Sequence, residues 1–75
     1  MDISYRNLTS LVGVTFPENV QILFCQNNQL TSLEGCPPSV QLLYCYSNQL
    51  TSLEGCPPSV QILSCENNQI ISLKG

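Results

Sequence analysis

Residues 30–49 read LTSLEGCPPSVQLLYCYSNQ and residues 50–69 read LTSLEGCPPSVQILSCENNQ, a repeat at a period of 20 with sixteen of twenty positions identical. Upstream, residues 8–29 (LTSLVGVTFPENVQILFCQNNQ) form a more diverged copy with two extra residues between Gly13 and Val20. Downstream, residues 70–75 (IISLKG) begin a further copy. A fixed period of this size predicts a solenoid, because one such unit cannot bury its apolar face alone and must stack on its neighbours.

The chemistry within the unit predicts its local structure. Leu42 to Tyr46 alternates as a strand does, with Leu43 and Cys45 on one face and Leu42, Tyr44 and Tyr46 on the other. Asn48 then marks a turn, and Leu50 and Leu53 carry the apolar side onward. The phrase Gly55-Cys56-Pro57-Pro58-Ser59 cannot be helix interior, since both prolines lack an N–H and fix φ. The return limb is therefore predicted to be extended or polyproline-like.

Three sets of residues fall in one register: Val20, Leu23, Cys25, Asn28 and Leu30; Val40, Leu43, Cys45, Asn48 and Leu50; Val60, Leu63, Cys65, Asn68 and Ile70. They match the leucine-rich-repeat pattern L-x-x-L-x-L-x-x-N-x-L. The 20-residue length and the Leu-Thr-Ser-Leu…Pro-Pro-Ser-Val-Gln phrase resemble the short class of leucine-rich repeats in secreted bacterial effectors. The cysteine-bearing wording resembles repeat proteins encoded by giant DNA viruses of amoebae. The resemblance covers residues 8–75 and implies a right-handed solenoid, a short parallel β-sheet on its concave face, little or no α-helix, and protein binding as the usual role. The chain departs from the effector pattern at Glu34 and Glu54, where a proline would follow the last leucine, and at Cys36 and Cys56, which replace a leucine.

Composition sets the remaining bounds. Seventy-five residues make one small domain with a thin core, expected to comprise a degenerate capping strand (1–7), repeats at 8–29, 30–49 and 50–69, and a partial repeat at 70–75. The formal net charge is −3 and only Arg6 and Lys74 are basic, so neither nucleic acid nor an anionic membrane is an expected partner. No apolar run approaches the roughly 20 residues of a membrane span, and MDISYRN lacks the basic and apolar regions of a signal peptide. The expectation is a soluble intracellular protein, in the host cytoplasm or the virion under the viral resemblance.

In the first segment, Met1 and Ile3 align with Leu43 and Cys45, and Arg6 takes the place of the turn asparagine. The insertion in residues 14–19 (VTFPEN) is expected to bulge on the convex side, with Phe16 filling the slot of the missing cysteine. Asn7-Leu8-Thr9 is a glycosylation sequon, which without a secretion signal is read as incidental. Asn28, Asn48 and Asn68 recur at the repeat period, and a side-chain amide there can satisfy the backbone of its own and the adjacent turn. Glu34, Glu54 and Lys74 form a second column, with each exposed pair worth about 1 kcal/mol or less.

Five cysteines occur, an odd number at repeat spacing. Cys25, Cys45 and Cys65 take the inward strand position, where a free thiol behaves as a small hydrophobe. Parallel Cβ vectors suit a disulfide poorly, so reduced thiols are expected. There is no Cys-x-x-Cys and no histidine, which leaves neither zinc spacing nor a Cys–His dyad, and no cofactor or metal is expected. The acids Asp2, Glu18, Glu34, Glu54 and Glu66 form no short-spaced catalytic pairing, and no glycine-rich phosphate loop is present. The chain reads as non-enzymatic.

What varies is one face. The two near-identical copies differ at Leu42/Ile62, Tyr44/Ser64, Tyr46/Glu66 and Ser47/Asn67, all on the outward side of the strand or the turn beside it. Thr31/Thr51, Ser32/Ser52 and Glu34/Glu54 on the convex side are unchanged. Recent duplication with chance drift is the competing explanation; diversification for recognition is the preferred one. Stacking should align Ile22, Leu42 and Ile62, then Phe24, Tyr44 and Ser64, then Gln26, Tyr46 and Glu66. Apolar rows facing solvent mark contact sites, and tyrosine is enriched in hot spots, although β-propensity alone also favours such residues. The expected site is this set with Ser47, and the expected partner is another protein, a host protein under the viral or effector resemblance. The alternative is self-assembly, as a homodimer or an end-to-end array.

Overall fold

The structure is a computed structural model and describes residues 1–71. Each copy supplies one short strand: β1 (Ile22–Phe24), β2 (Leu42–Tyr44) and β3 (Ile62–Ser64). The strands form one parallel sheet in the order β1-β2-β3, and the described residues contain no helix. Leu23 pairs with Leu43 and Leu43 with Leu63, so the register steps by the sequence period and like residues stack on like.

The strands are shorter than the alternation from Leu42 to Tyr46 predicts, because the chain turns early. Ser47 takes a φ of +56°, and Asn27 and Asn67 do the same at +59° and +58°. The ladder nevertheless runs on into the turn: the N–H of Cys45 donates to the carbonyl of Ser64 at 2.8 Å, and that of Ser47 to Glu66 at 2.9 Å. At the other edge Asp2 forms a parallel bridge with Phe24, with the N–H of Ile3 donating to Phe24 and that of Phe24 to Met1. Ile3 is thereby buried, whereas Met1 reaches the surface.

Because successive side chains of a strand point to opposite faces, the inner face is Leu23 and Leu43, continued past the strand ends by Cys25 and Cys45. All four are fully buried, among Leu11, Leu30, Leu33, Leu50, Val20 and Val40. Each leucine so enclosed contributes about 1.5–3 kcal/mol relative to exposure. Burial fades in the last copy, where Val60, Leu63, Cys65 and Ile70 are only half-buried.

The return limb is built from turns whose residues the backbone requires. The N–H of Cys36 donates to Leu33, and that of Cys56 to Leu53, each at 3.0 Å, with Gly35 and Gly55 at φ of +95° and +90° in the third position. Space demands glycine as well: a Cβ on Gly35 would lie 2.9 Å from the backbone of Leu11 and Val12. The hydroxyl of Ser39 donates to the carbonyl of Val20 at 2.6 Å, and that of Ser59 to Val40 at 2.7 Å, tying each limb to the one before. Phe16, in the inserted residues 14–19, packs half-buried against the core. The Glu54–Lys74 pairing expected from sequence, with most of the copy at 70–75, lies outside the described residues.

Candidate functional site

The residues singled out from sequence divide between two places. Asn28, Asn48 and Asn68 lie in the turns after β1, β2 and β3, and each amide bridges two successive turns. Asn48 is buried; its Nδ2 donates to the carbonyls of Cys45 at 3.0 Å and Cys25 at 3.1 Å, and its Oδ1 accepts from the N–H of Leu30 at 3.0 Å. Asn68 treats Cys65, Cys45 and Leu50 in the same way. Asn28 does so for Cys25, Ile3 and Leu8, and also accepts from the N–H of Arg6. With their hydrogen-bonding groups taken up by backbone, these side chains have a structural task.

The outer face of the sheet carries the rest. Ile22, Leu42 and Ile62 are aligned by the strand register, as are Phe24, Tyr44 and Ser64. Gln26, Tyr46 and Glu66 continue the series where the turn begins: Tyr5, Asn27 and Ser47 donate their N–H to the carbonyls of Gln26, Tyr46 and Glu66 respectively. Ile22, Phe24 and Ile62 are 42%, 36% and 57% exposed, a large apolar display for so small a chain, while Leu42, Tyr44 and Tyr46 are half-buried between their neighbours. The rings of Phe24 and Tyr44 stack with centroids 4.9 Å apart and planes 9° from parallel. Parallel register makes this geometry natural, since it puts equivalent Cβ atoms one strand spacing apart.

The polar margin is pre-arranged. The hydroxyl of Ser64 donates to Glu66 Oε1 at 2.6 Å and holds its carboxyl below the ordinary range. Asp2, beside the first strand, is lowered in the same way by the hydroxyl and N–H of Ser4. Gln26 Oε1 is buried with no hydrogen-bond partner among the described residues, which nothing in the repeat pattern signals. Ser47, grouped with the outer face from sequence, is set by its backbone: positive φ, a half-buried side chain, and its N–H given to Glu66.

All five cysteines are free thiols. Burial pushes the Cys25 and Cys36 thiols up to about 12, and raises Cys45 and Cys56 as well. These are protonated groups inside the packing rather than nucleophiles. No group of three His, Cys, Asp or Glu side chains able to hold a metal occurs among the described residues. Two open grooves, of about 460 and 590 Å³, border residues 17–19 of the inserted loop, and Glu18 is the one carboxylate in either lining. Among the described residues no helix is long and apolar enough to cross a membrane.

No protein-family model, curated protein or solved structure matches the chain.

Proposed function

We propose that the chain is a short leucine-rich-repeat solenoid that works, without catalysis, by binding a partner protein across the concave outer face of its sheet. The observation that carries this reading is the stacked Phe24–Tyr44 pair, flanked by exposed Ile22 and Ile62 on strands held in register by the core. Two flat rings presented edge by edge, with apolar neighbours on one side and Tyr46 and Glu66 on the other, have the composition of an interface centre with a polar rim. Their side chains have few rotamers to lose on binding, which lowers the entropic cost of association. The packed inner face and the asparagine bonds support this surface from beneath.

The test is Tyr44→Ala with Tyr46→Ala in a chain shown by circular dichroism to keep its fold. Loss of partner capture supports the reading, with a fall in affinity of about 2 kcal/mol or more for a hot-spot aromatic. Unchanged capture by a folded double variant rejects it.

A further inference from the structure

The outer face changes character between β2 and β3. Phe24 and Tyr44 stack, and because β2 lies between β1 and β3, the face of the Tyr44 ring turned away from Phe24 is turned towards β3. There the register sets Ser64 opposite Tyr44, so the column of rings ends over a side chain of one carbon and a hydroxyl. Glu66 follows on the same side of the chain, exposed, with Oε1 held 2.6 Å from the Ser64 hydroxyl. That bond keeps the carboxylate beside the space above Ser64 and next to the open ring face.

The charge in this space is negative and uncompensated. The Ser64 hydroxyl and the N–H of Glu66 itself hold the carboxyl below its ordinary range, with no cation contributing among the described residues. Arg6, the one basic side chain among them, lies in the turn of the first segment, on the other side of β1 from β2 and β3. Both features separate this copy from the one before: Ser64 and Glu66 stand where Tyr44 and Tyr46 stand, two of the four differences between the copies. A tyrosine at 64 would carry the stack into the space, and a tyrosine at 66 would remove its charge.

We propose that this niche, walled by the Tyr44 ring and the Glu66 carboxylate with Ser64 as its floor, receives an arginine side chain carried on an extended segment of the partner protein. A planar guanidinium stacks on a ring while its N–H groups donate to a carboxylate, a combination that the compact ammonium of lysine matches poorly. Two residues back along the strands lie Leu42 and Ile62, about 7 Å away and on the same face. An extended segment repeats its side-chain direction at that same interval, so the phrase recognised is an arginine with an apolar residue two positions from it. The niche lies between two paired strands and owes nothing to either end of the sheet.

The inference rests on the outer face being the binding surface, and its test separates the two. The probe is the peptide acetyl-Ala-Leu-Ala-Arg-Ala-amide, titrated into the full chain up to about 10 mM and followed by NMR shifts. Its control carries citrulline, a neutral isostere, in place of arginine. The expected shifts centre on Tyr44, Ser64 and Glu66, with the arginine peptide about tenfold tighter than the control. Glu66→Gln removes that preference, and so does Ser64→Tyr, which fills the niche with the residue of the preceding copy; both are checked for fold by their amide spectra. Equal affinities on the outer face, or a preference that survives Glu66→Gln, would overturn the niche and leave the outer-face reading standing. Shifts confined to the return limb around Thr31 and Thr51 would overturn both. No shift with the arginine peptide would overturn the niche, while the outer-face reading is judged separately by Tyr44→Ala with Tyr46→Ala.

Discussion

The amide of Asn48 donates to the carbonyl of Cys25 at 3.1 Å, across the gap between one turn and the next, while its Oδ1 accepts from Leu30 of that same earlier turn. One side chain thus satisfies three buried backbone groups, counting Cys45 in its own turn. Each such group left unpaired costs about 1–3 kcal/mol. Asn48→Ala should therefore destabilise the fold by about 3 kcal/mol or more, a large share of what a small domain has. Asn68→Ala should cost less, because that turn is only partly buried. Urea unfolding of the two variants checks the ranking; equal losses would contradict it.

Gly55 and Gly13 hold the same place in their copies and similar φ values, +90° and +91°, but differ in what lies nearby. A Cβ on Gly55 would collide with the backbone of Leu33 and Glu34, while one on Gly13 would meet nothing within 4 Å. Gly13→Ala should show only the conformational penalty, about 1 kcal/mol, and Gly55→Ala clearly more, about 3 kcal/mol. Thermal melts of the pair isolate the stacking contribution from the φ preference.

Ser47 stands where Asn27 and Asn67 stand, at the same left-handed φ. Asparagine tolerates that region better than serine, so Ser47→Asn should stabilise by about 0.5 kcal/mol and Ser47→Val should destabilise by about 1–2 kcal/mol. Chemical denaturation at fixed pH reads both signs.

The buried thiols make stability pH-dependent on the alkaline side. Cys25 and Cys36 keep their protons up to about 12 in the fold, against an ordinary value of 9.0. Below pH 9 both states hold these protons and nothing changes. Between about 9 and 12 the unfolded chain ionises first, and stability falls by about 1.4 kcal/mol per pH unit for the buried Cys25 thiol and by less for the partly exposed Cys36, which solvent screens. Cys25→Ala should make that fall shallower by one proton. Unfolding midpoints followed from pH 8 to 11 test this, and a slope unaltered by the substitution would contradict it.

Much of this was legible in the sequence because the repeat compares the chain with itself. The buried positions Leu23, Leu43, Cys25 and Cys45, the register of like on like, and the absence of helix among the described residues follow from period, alternation and paired prolines. The asparagine column was legible because an amide can both donate and accept. Other features left no such mark. The left-handed φ at Ser47 is concealed by a residue that does not advertise it, and it cuts the strand to Leu42–Tyr44. The hydroxyl bridges from Ser39 and Ser59 depend on how closely the limbs approach. The weaker burial of Leu63 than of Leu43 is not conveyed by the near-identical wording of the two copies.

The most direct test of the outer-face account is site-specific photo-crosslinking. A benzophenone side chain is placed at Tyr44 or Tyr46 on the outer face, or at Thr31 or Thr51 on the return limb, in cells producing the chain. Thr31 and Thr51 are exposed, so all four sites can report. The account predicts a discrete heterologous adduct from Tyr44 and Tyr46, lost on Phe24→Ala, and none from Thr31 or Thr51. Adducts from the return limb alone, or equal ones from both sides, would contradict it.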